Sequence, residues 1–221
     1  MAFLHYQASM QPTKIELLAA WVPTQPWFVG EAGAELTNLG AYRFDDPDGE
    51  VGIETILVRA GDGPVLQVPV TYRDAPLEGA EAALVGTTQH SVLGQRWVYD
   101  GAGDPAYLAA VATAVLAGGH QAEQFVEIDG ERVVREPTAV VAGSGAPGTP
   151  NVPLPAVDEI SIRQGAGVTV VTAGSLQLVI ARALGDDDAL AAGIDESSDH
   201  EVLAGTWPGQ PDLRTLVLVG A

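Results

Sequence analysis

From Leu66 to Arg73 the chain alternates in type: Leu66, Val68, Val70 and Tyr72 fall on one side of an extended backbone, and Gln67, Pro69, Thr71 and Arg73 on the other. A period of two predicts a strand with one face in a core and the other turned outward. Residues 34–45 and 50–60 carry looser versions of the pattern. Turn chemistry separates the three segments: Asp46-Pro47-Asp48-Gly49 and Gly61-Asp62-Gly63 supply a fixed proline φ and glycines free to take positive φ. Together they predict a half-buried antiparallel meander. Pro69 lacks an amide hydrogen, which predicts an edge or a bulge for the third strand.

The period changes to that of a helix in two places. Thr13-Lys14-Ile15-Glu16 has the form of a capping box, and Ile15, Leu18, Ala19 and Val22 follow at helical spacing until Pro23. The second begins at Asp104-Pro105, an aspartate N-cap with proline in the first turn. Its stripe is Leu108, Val111, Ala112 and Val115, and Gly118-Gly119 ends it. Short strands are expected at 3–8, 82–88 and 96–99, and at 125–128 and 132–135 around an Asp129-Gly130 hairpin turn.

Residues 143–155, GSGAPGTPNVPLP, have no apolar period and read as a linker or extended tether. This divides the chain into 1–142, the linker 143–155, and 156–221. In the last part, strands are expected at 159–163, 168–172, 176–181 and 213–219, with an acidic segment over 185–201. About 65 residues make a marginal independent fold, so this part is expected to pack on the first. The fold class is α+β: a curved antiparallel sheet with packed helices, followed by a smaller β-rich segment.

Composition narrows the function. The 29 acids against 10 bases give a formal charge of −19, and Lys14 is the one lysine. Such a surface repels nucleic-acid phosphates and anionic lipid, so neither nucleic acid nor a membrane is an expected partner. There is no cysteine, which removes disulfides and thiolate chemistry. The start of the chain has no basic region before its apolar patch, and no apolar run approaches the ~18 residues of a membrane span. A cytoplasmic protein is expected.

No motif names a reaction. Arg73 and Arg96 are candidates to converge on an anion or a sugar carboxylate, against the simpler reading that they pair with the abundant acids. His90 is a candidate base, but no nucleophile motif accompanies it. Trp27 and Trp97 offer indole faces on which a sugar ring stacks, whereas Trp21 reads as core. Asp186, Asp187, Asp188, Asp195, Glu196, Asp199 and Glu201 lack the glycine and glutamate spacing of a calcium loop, so they read as a solvated acidic segment. No metal and no cofactor is expected.

One resemblance joins these pieces. Residues 18–30, LAAWVPTQPWFVG, are similar to the segment that opens the N-terminal cap of actinobacterial maltokinases and related aminosugar kinases. The likeness continues through Gln67–Arg73, Val85–Thr88 and Trp97–Pro105, and covers roughly residues 10–140. It implies a cystatin-like cap, a curved antiparallel sheet with a helix against it. Beyond the linker, residues 168–184 resemble the opening of the kinase intermediate subdomain. There the position of the family's phosphate-contacting lysine holds Val179, and the chain ends before the family's C-lobe. Phosphoryl transfer needs a cation clamp, a metal and a positioned base. The resemblance therefore implies a non-catalytic relative that binds or regulates a partner in trehalose, maltose or α-glucan metabolism. A small-sugar or oligosaccharide-binding module, and an enzyme with an unrecognised site, are the alternatives.

Overall fold

The computed structural model describes residues 2–4, 8–31, 33–46, 48–128, 131–185, 190, 193 and 199–220. It opens with β1 (Ala2–Leu4), β2 (Met10–Gln11) and helix α1 (Lys14–Trp21). The predicted meander follows as β3 (Leu36–Phe44), β4 (Gly52–Ala60) and β5 (Val65–Arg73). A hairpin of β6 (Leu84–His90) and β7 (Gly94–Asp100) leads into helix α2 (Pro105–Leu116), and β8 (Gln124–Ile128) and β9 (Glu131–Arg135) make the next hairpin. Then come β10 (Val140–Gly143), β11 (Ile160–Gly165), β12 (Val168–Ala173) and β13 (Leu176–Ala181). The last strands are β14 (Ala183–Leu184), β15 (Glu201–Trp207) and β16 (Gln210–Gly220). Asp129-Gly130, Pro47, Asp186–Asp188, Asp195 and Glu196 lie outside the described residues.

These strands form curled antiparallel sheets, and with two short helices the architecture is α+β. The first sheet runs β2-β6-β7-β5-β4-β3, with β14 added beside β5; the second runs β10-β15-β16-β13-β12-β11. A small third sheet, β1-β8-β9, contains a parallel pair, β1 with β8. Both helix starts follow the predicted chemistry. Thr13 and Glu16 close the capping box on α1, and the Asp104 carboxylate accepts from the Ala106 amide at 2.9 Å with Pro105 in the first turn of α2.

β4 and β5 are buried on both faces, not half-buried as the alternation suggests, whereas β3 keeps the expected alternation of buried and more open positions. On one face Leu66, Val68 and Val70 pack with Ile56, Val58, Leu18 and Val22. On the other, Tyr42, Ile53 and Leu57 share a core with α2 and with Val171, Leu178, Ile180 and Val217 of the second sheet. Alternation fails as a guide because the polar residues of β5 are satisfied inside. Gln67 accepts from the Tyr42 hydroxyl at 2.9 Å and donates to the Ala181 and Leu216 carbonyls at 3.0 Å each. Thr71 donates to Asp104 at 2.6 Å. Buried polar groups with full partners cost little, so the strand tolerates a second covered face.

Pro69 is also placed differently from its expectation: β5 is a central strand. Beside it, β14 pairs with Val65 and Leu66, while β7 pairs from Val70 to Arg73. Pro69 falls in the gap between those two partners, where a missing N–H breaks no ladder.

Helix α2 is buried nearly all round, from Pro105 to Ala112 and again at Val115, because it lies between the two sheets. Its sequence is apolar on every side, as such a position requires. The 143–155 stretch begins as a strap over the end of this helix. The amides of Gly145 and Ala146 donate to the Val115 and Leu116 carbonyls at 3.0 Å each, and that of Gly143 to Gly119 at 2.8 Å. It thereby adds amide donors to the carbonyls at the end of the helix. Just before it, β10 pairs with β15, far along the chain.

Candidate functional site

Among the five candidate residues the structure brings together two pairs, Arg73 with Trp97 and His90 with Arg96. Arg73 and Trp97 are cross-strand partners on β5 and β7, so they share a face of the sheet; Arg96, next to Trp97, projects from the opposite face. The two arginines therefore do not converge. Arg73 spends its guanidinium on Asp104, with Nε to Oδ2 and Nη2 to Oδ1 both at 2.7 Å. Those hydrogen bonds hold it protonated even more firmly than usual.

Trp27 is fully buried, and the Arg182 guanidinium lies over its ring at 4.6 Å. It has no face open to a sugar. Val179 is likewise buried in β13, opposite Val170 and Leu218, so the position compared with the kinase lysine is a core position.

His90 and Arg96 meet in a cleft of about 1120 Å³ on the α1 side of the first sheet. Its walls come from β2, β6 and β7 on one side and from β8 and β9 on the other, and Lys14, Arg43, Tyr72 and Arg135 line it as well. A smaller cavity of about 400 Å³ adjoins it and shares Lys14, Arg43 and Arg135. The His90 Nδ1 accepts from the Val92 and Leu93 amides at 3.2 and 3.1 Å, which places a proton on the other ring nitrogen when the ring is neutral.

The floor between these cavities is a charged cluster around Glu54, which is 6% exposed. Its carboxylate takes Lys14 Nζ at 2.5 Å, Arg43 Nη2 at 3.1 Å and the Tyr72 hydroxyl at 2.8 Å. Burial alone raises a carboxyl pKa, but the adjacent Arg43 and Lys14 charges overcome it and hold Glu54 down to about 2. Burial, with the Glu54 charge beside it, pushes the Tyr72 hydroxyl well above its ordinary value.

The sequence does contain a signal for this cluster. Arg43 and Glu54 are direct cross-strand partners across the β3–β4 hairpin, and Tyr72 sits opposite Gly52 one strand over. Counted outward from the 46–49 turn, Arg43 falls opposite Gly52, so the sequence puts the pair on adjacent strands and the folded register sets them opposite. Lys14 comes from a different element, and nothing local connects it to Glu54.

Fixed cations, a phenol and an imidazole face a concave space. Among the described residues, no group of three or more histidine, aspartate or glutamate side chains is placed to hold a metal. Also among them, no helix is long and apolar enough to cross a membrane.

Comparison with known families gives one match. Residues 21–104 match the maltokinase N-terminal cap domain, which is less than half of the 221-residue chain. The four stretches that carry the resemblance, from the tryptophan-rich segment to Asp100–Asp104, fall within that match or overlap its ends. No curated protein matches the chain.

Proposed function

We propose that this chain is a non-catalytic module of the maltokinase-cap type that docks on a protein partner, an enzyme of trehalose, maltose or α-glucan metabolism. In this reading the first sheet with α1 is the cystatin-like cap, and 156–221 is the counterpart of the intermediate subdomain. The protein works in the cytoplasm, away from nucleic acid and membranes, for which its charge of −19 is the support.

One observation carries the reading. The polar side chains of the cap-like motifs are spent on the fold. Asp104 caps α2 and holds Arg73 and Thr71, and Asp100 pairs with Arg182. A module whose distinctive residues build a scaffold contributes shape and surface. The partner class comes from the family likeness, an analogy of fold and not of site.

The test is affinity capture from the native host, followed by calorimetry of each captured, purified enzyme against this chain. Saturable binding to an α-glucan or trehalose enzyme is the expected result. Captures that repeatedly return nothing above background sink the proposal.

A second reading, a small-sugar or oligosaccharide-binding module, is favoured by the cleft. Its volume suits a sugar-sized ligand, and it presents the planar polar side chains of Arg43, Arg96 and Arg135 beside Tyr72. Calorimetry with maltose, trehalose and glucosamine distinguishes it. No heat at millimolar ligand removes it.

A further inference from the structure

The side chains that line the cleft differ in how fully they are already used. Among the acids, Asp46 accepts the amides of Asp48, Glu50 and Val51 at 3.3, 3.0 and 2.9 Å, so its carboxylate belongs to its own turn. Asp45 also has an interaction of its own. Below the cleft, Glu54 holds Lys14, Arg43 and Tyr72. Glu50 is the remaining carboxylate, and it sits exposed on the hairpin.

The cations are less spent. Among the described residues Arg96 makes one hydrogen bond, from Nη1 to the carbonyl of its neighbour Gln95 at 3.1 Å, which leaves its other donors unspent where it lines the cleft. Arg135 has no ion-pair partner among the described residues and lines both cavities. Lys14 and Arg43 outnumber the single Glu54 charge they share. Four of the chain's ten bases thus border one concavity in a protein with 29 acids. Carboxylates, Asp45, Asp46, Glu50 and Glu54 among them, border the two cavities as well, so what favours an anion is the unspent guanidinium donors and not a net field: such forks match planar or tetrahedral oxyanions.

We propose that this cleft binds a small anionic molecule through Arg96 and Arg135, its recognised group being a phosphate or a carboxylate. Arg96 stands on β7 of the first sheet and Arg135 on β9 of the small third sheet, so the anion ties the β8–β9 hairpin to the first sheet. The site is the cleft of the sugar reading, but the ligand chemistry is different and independent of both readings above. A failed capture or a silent sugar titration leaves it intact, because its probes carry neither protein nor sugar.

The experiment titrates the full chain with pyrophosphate and with citrate, against sodium chloride at matched ionic strength. Thermal stability and amide hydrogen exchange are the readouts. Arg96→Gln and Arg135→Gln are the test variants, and Arg163→Gln, on exposed β11, is the control. The expected result is a saturable stabilisation of the wild type with slowed exchange over residues 124–135. Each cleft variant weakens binding about tenfold, the loss of one charge-assisted contact, while the control binds as the wild type does. Preference for pyrophosphate or citrate identifies the group as phosphate or carboxylate. No saturable effect beyond chloride overturns the proposal. So does an equal loss in Arg163→Gln, which reduces the effect to bulk charge.

Discussion

Arg182 donates from Nη2 to both carboxylate oxygens of Asp100, at 2.8 and 2.7 Å, from a position with no exposed surface. Its Nε donates to Thr169 at 2.9 Å, and its plane covers Trp27. One side chain thereby fastens β7, β12 and the segment after α1. Asp100 also accepts from the Ala102 amide at 3.2 Å, holding the turn that leads into α2. A buried pair of this kind is costly to break because the survivor keeps its charge in the core.

Arg182→Met is expected to destabilise the fold by ~3–5 kcal/mol, the cost of stranding Asp100. The double variant Arg182→Met/Asp100→Asn is expected to recover part of that loss, since asparagine keeps the turn bond without a charge. Urea unfolding of the four proteins in the cycle measures this. Simple additivity of the two changes contradicts the coupling.

Glu54 makes stability depend on acid. Its folded pKa of about 2 lies below the ordinary 4.5, so its contribution is complete above pH 4.5. That contribution drains away as the pH falls from 4.5 toward 2, by a total on the order of 3 kcal/mol. Glu54→Gln should be less stable than the wild type at pH 7 and should lose less on acidification through that window. Parallel denaturation curves for the two proteins at pH 6 and pH 3 contradict the assignment.

The strap over α2 tolerates no side chain at Gly145. A Cβ there meets the Leu116 carbonyl oxygen at 2.0 Å, so the strap must lift. Gly145→Ala is expected to lose the Gly145 and Ala146 amide bonds to the helix end and about 2 kcal/mol with them. Faster hydrogen exchange at 143–146 with a lowered Tm is the readout. A variant as stable as the wild type shows that the strap does not hold the helix.

Val179→Lys places a charge between its buried cross-strand neighbours Val170 and Leu218. The expected cost at pH 7 is about 3 kcal/mol or more. Burial favours the neutral amine and lowers its folded pKa, so the loss shrinks as the pH rises toward the unfolded value near ~10.4. A deficit against the wild type that is the same at pH 7 and pH 9.5 contradicts the buried placement.

What the sequence determined by itself is local. Thr13 with Glu16, and Asp104 with Pro105, set both helix starts, because a cap needs only its own next three residues. Alternation and turn chemistry gave the β3–β5 meander, and the matched stretches from Trp21 to Asp104 gave the family likeness.

Tertiary structure decided the rest. Residues 202–207, just past the acidic segment, carried no strand expectation; they form β15 because β10 and β16 flank that stretch. Pro208-Gly209, with Gly209 at φ +85°, turns it into β16. Both faces of β5 are covered because a second sheet, built from β10 and from strands of the last third of the chain, closes over α2. Nothing near Arg182 in the sequence points to Asp100, 82 residues away, as its partner. The cleft joins Lys14 of a helix, Arg96 of one hairpin and Arg135 of another. Caps and turns are contacts within a few residues, so composition and spacing encode them. Burial, charge pairing and concavity are sums over segments distant in the chain, and only packing brings those segments together.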